Sequence, residues 1–268
     1  MDTRDTTHHA GKRFSKAADT YDQHSGLQHA IALELIEILA ELTVPHHILD
    51  AGCGTGFLTE QLATAYPTAQ IDAVDLAADM IRVAQAKIPA AHNVEWIVSD
   101  LRDYQAPMHY DIIASSSALQ WLTPLDLSLQ HLASMLKPGG YLIFSAMTRD
   151  TLHELHATRR EVAPDKSPPL QLPAFGDFLE ALQTAPIRML HDHHATYTRT
   201  YPSANALLRT LNQQGVTGGA VSRGRQPLSR GELTKLKSLY EQRYADESGG
   251  VRCTYEVGFF VAQTSESR

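Results

Sequence analysis

Asp50 is followed by three glycines at every second position, Gly52, Gly54 and Gly56, and together they read D-x-G-x-G-x-G. Glycine tolerates positive φ and, having no Cβ, lets the backbone lie directly against a ligand. The apolar Ile48 and Leu49 ahead of Asp50 predict a short buried strand, and residues 59–65 predict a helix after the loop. The start of such a helix offers unpaired N–H groups and partial positive charge to whatever sits over the loop. A second acid, Asp75, closes the next apolar run, residues 70–75. It lies about 20 residues past the loop, the distance of a ribose-binding carboxylate in nucleotide-binding α/β folds. A dinucleotide site would instead read G-x-G-x-x-G, which argues against a nicotinamide dehydrogenase. Cys53, between the glycines, is expected as a small residue in the turn.

These residues need strands whose carboxyl ends share one edge, and the rest of the chain supplies them. Residues 94–100 read as a third strand ending in Asp100, and residues 110–115 as a fourth leading into Ser116 and Gln120. Strand ends face the ligand crevice in open α/β sheets, so Ser116 and Gln120 are placed near the reacting centre. A helix over 28–42 covers one face of the sheet, and helices over 78–87 and 125–136 follow the second and fourth strands. Lys137–Pro138–Gly139–Gly140 stops the last of these before a fifth strand at 141–146. Farther on, residues 163–173 are proline-rich and read as a loop, 175–182 as a helix, and 187–201 as holding a sixth strand. Helices at 204–213 and 231–244 precede a last strand at 254–262 that closes the sheet. The roughly fifty residues between the last two strands are too many for a plain loop, and they read as a helical lid. The expected fold class is therefore α/β, a Rossmann-like seven-stranded sheet with a helical lid inserted between its last two strands. Its parts are a covering segment (1–30), a core (31–202), the lid (203–250) and the final strand and tail (251–268).

Composition narrows the partners. A formal net charge of −7 argues against nucleic acid, whose binding depends on clustered Lys and Arg. No apolar run is long enough to span a bilayer, and the acidic Met1–Asp5 start is followed by no apolar secretory region, so no membrane and a cytoplasmic location are expected. Two cysteines, Cys53 and Cys253, are too few for a disulfide framework. The histidines at 191, 193 and 194 suggest a metal only weakly, because neighbouring strand residues point to opposite faces and no further ligand accompanies them.

The loop, Asp75, Asp100 and the K-P-G-G turn together resemble the class I S-adenosylmethionine-dependent methyltransferases. That resemblance implies S-adenosylmethionine as cofactor, with its methionine part against Asp50, Gly52, Cys53, Gly54 and Gly56. Asp75 would hold the ribose, Asp100 and Leu101 the adenine, and Leu76, Met80, Ser116 and Gln120 would complete the site. An N-terminal segment around Phe14–Tyr21 is similar to one that folds over the cofactor in several members, which places Tyr21 in both the cofactor and catalytic sets; simple core packing of Phe14 and Tyr21 is the alternative.

A longer series narrows the resemblance. Phe14–Tyr21, Ser116–Trp121, Thr151–Leu155, Leu211–Gly218 and Thr254–Val257 occur in the order seen in the malonyl-acyl-carrier-protein O-methyltransferases of biotin synthesis. This implies methyl transfer to the free carboxylate of a malonyl thioester, giving the ester that enters pimeloyl and biotin synthesis. The implied partner is an acyl carrier protein bearing malonyl-phosphopantetheine, or malonyl-coenzyme A. Arg149 and Arg209 are the candidates to meet the malonyl carboxylate, and Arg223, Arg225, Arg230, Lys235 and Lys237 form a candidate carrier-docking patch. A small-molecule carboxyl, quinone or phenol methyltransferase and a non-catalytic cofactor-binding module remain the alternatives.

Overall fold

The computed structural model describes residues 3–42, 44–88, 93–166, 171–215, 227–247 and 249–266. Two helices, α1 (Thr3–His24) and α2 (Gly26–Ala40), precede β1 (His47–Ala51). Then come α3 (Phe57–Ala65), β2 (Gln70–Asp75), α4 (Ala78–Lys87), β3 (Val94–Val98), β4 (Tyr110–Ser116), α5 (Leu125–Ser134) and β5 (Leu136–Met147). The chain continues through α6 (His153–Val162), α7 (Phe175–Gln183), β6 (Ile187–Tyr201), α8 (Ala204–Gln213), α9 (Arg230–Tyr244) and β7 (Val251–Thr264). Among the described residues no helix is long and apolar enough to cross a membrane.

The strands form one sheet in the order β3-β2-β1-β4-β5-β7-β6. The first five run parallel, and β7 lies antiparallel between β5 and β6. The strand sequences are apolar at consecutive positions because both faces are covered. Ile48, Ile112, Ile143 and Phe259 point to one face, against Ile31, Leu35 and Leu39 of α2 and Leu207 and Leu211 of α8. Their neighbours Leu49, Ile113, Phe144 and Phe260 point to the other, against Leu129 and Leu132 of α5 and Phe178 of α7. Ile31, Leu35 and Leu39 are fully buried at i, i+4 and i+8, which at about 1.5–3 kcal/mol each fixes α2 on the sheet.

The order of strands reverses between β1 and β4, and the carboxyl ends there make the crevice that holds the site. The helical insertion between β6 and β7 consists of α8 and α9, as the long connection predicts. Two sequence expectations need correction. The outermost strand is β6 rather than β7. Leu136 pairs with Tyr110, so the K-P-G-G turn belongs to β5 and α5 ends two residues earlier, at Ser134. Residues 26–30 form the first turn of α2, continuous with the helix that packs on the sheet. The helix α6 adds to the elements expected from the sequence.

Candidate functional site

The glycine loop is built as its residue types require. Gly52, Gly54 and Gly56 all have positive φ, and the amides of Gly52 and Cys53 donate to the Val74 carbonyl at 2.8 and 3.0 Å, tying the loop to the end of β2. The three glycines are needed for different reasons. A Cβ on Gly52 would lie 2.4 Å from the Ala118 Cβ, while one on Gly56 would lie 2.9 Å from Trp96 and 3.0 Å from Ala84 and Ile88. Gly54 meets nothing, so only its φ of +53° calls for glycine. Gly56 therefore serves packing behind the loop, and Gly52 close approach within it.

Two carboxyl groups stand beside the loop. Asp75 accepts from the amides of Gly54 (2.9 Å) and Ala77 (2.7 Å), and burial raises its pKa against those bonds. Asp50 is fully buried, accepts from the Thr59 hydroxyl at 2.6 Å through Oδ2, and leaves Oδ1 without a partner. Burial, aided by the charge of Asp75, pushes Asp50 up to about 7. A buried unpartnered carboxyl oxygen facing a cavity fits a cationic, hydrogen-bond-donating ligand.

Three adjoining cavities occupy the crevice. The first is lined by Asp50, Gly52, Cys53, Gly54, Asp75, Met80 and Ser116 among others. The second lies over Leu76, Ser99, Asp100, Leu101 and Leu122, beside the β2 and β3 ends. They share Phe14, Gly52, Asp75, Ala118 and Trp121, so one elongated ligand with a polar and an aromatic end can run through both. Arg102 holds Asp100 through both carboxylate oxygens, at 2.9 and 2.6 Å, which fixes it at the edge of this cavity.

The third cavity opens from the first and shares Phe14, Tyr21, Gln28, Ser117 and Trp121 with it. Tyr21 sits at their junction, and burial pushes its hydroxyl up to about 12, which keeps it neutral. Phe14 packs edge-on against both Tyr21 and Trp121, at ring-centre distances of 6.2 and 5.8 Å. It therefore packs within the site as well as on the core. Gln120 lines this third cavity rather than the first, its Nε2 donating to the Ser117 carbonyl at 2.6 Å.

The far wall comes from the fragments Thr151–Leu155 and Thr254–Val257, which the fold brings together. The Thr151 hydroxyl donates to the Glu256 carbonyl (2.9 Å) and accepts from its amide (3.0 Å). Glu154, 1% exposed, accepts from the amide and hydroxyl of Thr254 at 3.1 and 2.6 Å. These bonds fasten α6 to β7 and turn Thr151, Leu152, His156 and Tyr255 into the cavity. Among the described residues, Ser117 and Leu152 are the two non-glycine residues with positive φ, and both line this cavity, so strain is concentrated where the substrate would sit. Burial, then the nearby Arg160 and Arg159, lower the His156 pKa and favour a neutral ring.

Neither Arg149 nor Arg209 lines any of these cavities. Arg149 pairs with Asp177 at 2.7 Å on the outside of α7, and Arg209 is exposed on α8, so the fold places neither of these two expected residues beside the crevice. Of the expected docking patch, Arg223 and Arg225 lie outside the described residues, while Arg230 and Lys235 are exposed on α9 and Lys237 donates to Asn205 at 2.7 Å. Phe14, Gln28, His29, Ser117, Trp121 and His156 line the site without having been singled out for it. Phe14 and Trp121 carried a signal in the fragments that contain them, but nothing in the sequence pointed to Gln28.

A α1-to-loop bridge closes the site. Asp22 accepts from the Thr55 hydroxyl (2.5 Å) and from Lys87 (2.6 Å), and Lys87 also donates to the Thr55 carbonyl. Burial would raise the Asp22 pKa, but the His29 ring 3.9 Å away and the hydrogen bonds from Lys87 and Thr55 outweigh it and hold the carboxylate well below its usual range.

Residues 48–140 match the family model described as a methyltransferase domain. A solved structure of an N-methyltransferase, NodS from Bradyrhizobium japonicum in complex with S-adenosyl-L-homocysteine, superposes with a TM-score of 0.52 at 15% identity, covering 88% of this chain and 86% of that one. A Bacillus halodurans protein described as a methyltransferase gives 0.62 at 16%, covering 88% and 99%. In sequence, the malonyl-[acyl-carrier protein] O-methyltransferase of Halalkalibacterium halodurans is 32% identical over 94% of this chain and 96% of its own. The cofactor is S-adenosylmethionine, and the orphaned Asp50 oxygen, the glycine loop and the cavity beyond Asp75 fit it. The chain belongs to the malonyl-[acyl-carrier protein] O-methyltransferase family.

Proposed function

We propose that the protein transfers a methyl group from S-adenosylmethionine to the free carboxylate of a malonyl thioester carried by an acyl carrier protein, the ester then entering biotin synthesis. The observation that carries this reading is the third cavity. It joins the cofactor crevice at Tyr21 and Ser117, is mainly apolar, and has a few polar groups in its lining. The bound cofactor supplies an electrophilic sulfonium methyl. A malonyl carboxylate is ionised at neutral pH, so the protein's task is to align it and exclude water rather than to remove a proton. Tyr21, neutral and half-buried, contributes a hydroxyl at the junction; it does not serve as a base.

Ser117, Gln120 and His156 are the polar groups proposed to hold the carboxylate. The Ser117 hydroxyl has no partner, and Gln120 Nε2 keeps a second N–H beside the one it gives to the Ser117 carbonyl. A neutral imidazole at His156 donates one N–H. Uncharged donors orient a carboxylate without neutralising the oxygen that must attack, whereas a forked guanidinium grip would lower its nucleophilicity. Phe14 and Trp121 cover the junction and keep water out.

The test is transfer of label from methyl-labelled S-adenosylmethionine, read in base-labile ester, with malonyl-carrier protein, malonyl-coenzyme A and free dicarboxylic acids in parallel. Label strongest on malonyl-carrier protein is the expected result. Label confined to free acids would move the assignment to a small-molecule carboxyl methyltransferase. Binding without transfer would make it a cofactor-binding module.

A further inference from the structure

A fourth cavity shares Gln28, Gln214 and Tyr255 with the substrate cavity and opens beyond it between α1, α2, α8 and β6. At about 300 Å³ it is the roomiest of the four, against about 90, 70 and 80 Å³ for the others. Its inner wall holds a buried polar group in need of a partner. Gln214 is 4% exposed, its Nε2 donates to the His24 carbonyl at 2.5 Å, and its Oε1 has no partner. Gln28 Oε1, beside it, is likewise unpartnered. Two buried carbonyl-type acceptors along one passage fit a ligand with N–H donors.

The mouth carries a different chemistry. Arg199 on β6 lines it and has no ion pair among the described residues, and His24 lines it too. The 15-residue α2 also starts here at Gly26, with no side-chain cap and no acid in its first turn, since the Ser25 hydroxyl is donated to the Tyr21 carbonyl at 2.6 Å. An uncapped helix start beside a free guanidinium favours a phosphate-type anion. The passage therefore has an anion site at the mouth, amide-binding groups along its length, and the methyl-transfer junction at its inner end.

We propose that this fourth cavity is the entrance for a phosphopantetheine arm, with the arm's phosphate against Arg199, His24 and the start of α2. Its amide-bearing stretch passes Gln28, Gln214 and Tyr255 and delivers the malonyl end to Tyr21 and Ser117. This rests on the malonyl-thioester reading above.

The test compares kcat/KM of the full chain for three substrates. Malonyl-carrier protein and malonyl-coenzyme A carry the phosphate, whereas malonyl-N-acetylcysteamine keeps the thioester and lacks it. Arg199→Glu is expected to lower the preference for both phosphate-bearing substrates over the truncated one by about tenfold, and Arg199→Lys to retain most of it. An unchanged preference ratio would overturn the proposal, as would equal loss on all three substrates. Loss on malonyl-carrier protein alone would also overturn it, because Arg199 would then touch the carrier's folded surface rather than the arm. Failure of the unmodified protein to methylate any malonyl thioester would instead sink the malonyl-thioester reading itself.

Discussion

Cofactor affinity should depend on pH through one buried carboxyl, Asp50. In the ligand-free protein its pKa is pushed up to about 7 from the usual 3.8, chiefly by burial. The sign follows from which form the fold prefers. With the folded pKa raised, the neutral acid favours the ligand-free fold most at low pH, and this contribution is lost as pH rises through about 7. A cationic ligand in the cavity beside Oδ1 favours the ionised form, so binding draws a proton off Asp50 when the pH is below that value. The ionised fraction rises from about one-tenth to about nine-tenths between pH 6 and pH 8, so affinity through this group should rise by about tenfold. Asp50→Asn keeps a carbonyl oxygen for the Thr59 hydroxyl but cannot ionise. Isothermal titration of S-adenosylmethionine at both pH values, in buffers of differing ionisation enthalpy, measures affinity and proton release together. The expected result is that the wild-type affinity gain exceeds that of Asp50→Asn by about tenfold, with proton release present only in the wild type. Equal pH slopes in the two proteins would refute the reasoning, because Asp50 would then not be coupled to the ligand.

Gly52→Ala, with φ of +81° and a Cβ 2.4 Å from Ala118, should cost about 1–3 kcal/mol of stability and most cofactor binding, whereas Gly54→Ala, which meets no atom, should cost about 1 kcal/mol; thermal melts and cofactor titration check both. Asp22→Asn breaks the bridge to Lys87 and Thr55 and should speed cofactor release in stopped flow by about tenfold while leaving the chemical step nearly unchanged in single turnover. Glu154→Gln weakens the fastening of α6 to Thr254 and should lower stability by about 1–3 kcal/mol and raise KM for the malonyl substrate, in denaturant titration and initial-rate assays. Arg149→Ala and Arg209→Ala should each keep KM within about twofold, since an exposed pair such as Arg149–Asp177 is worth about 1 kcal/mol or less and neither residue lines the site.

What the sequence made legible was backbone chemistry and strand order. A positive-φ turn has few residue solutions, so Gly52 and Gly54 announce the loop, and Asp75 follows from where the next strand must end. Consecutive apolar residues such as Ile112 and Ile113 announce a strand covered on both faces. The direction of a side chain beyond a strand end was not legible. Arg149 follows β5 as a catalytic residue would, yet its guanidinium turns outward to Asp177, a residue 28 positions on. Likewise α6 went unseen because it is polar and because Glu154, which fixes it, is stabilised by Thr254, a hundred positions away in sequence. The fragments Thr151–Leu155 and Thr254–Val257 were visible separately; only the fold shows that each is the other's hydrogen-bond partner.

The same geometry couples the two ligands. Phe14 on α1 lines the two cofactor cavities and the substrate cavity, so α1 is a shared wall of all three. That helix is tied to the cofactor loop through Asp22, Thr55 and Lys87, and to the insertion through the Gln214 bond to the His24 carbonyl. Gly215, just past α8, lies so close to α1 that a Cβ there would be 3.0 Å from the Arg13 carbonyl oxygen. Opening the cofactor crevice by lifting α1 therefore also breaks the wall of the passage at Gln214. A cofactor that seats the loop holds α1 down and completes the substrate passage, while an arm in that passage pins Gln214 and His24 and hinders cofactor escape. By linkage each ligand must then tighten the other's binding by the same factor, the consequence of placing one helix over both.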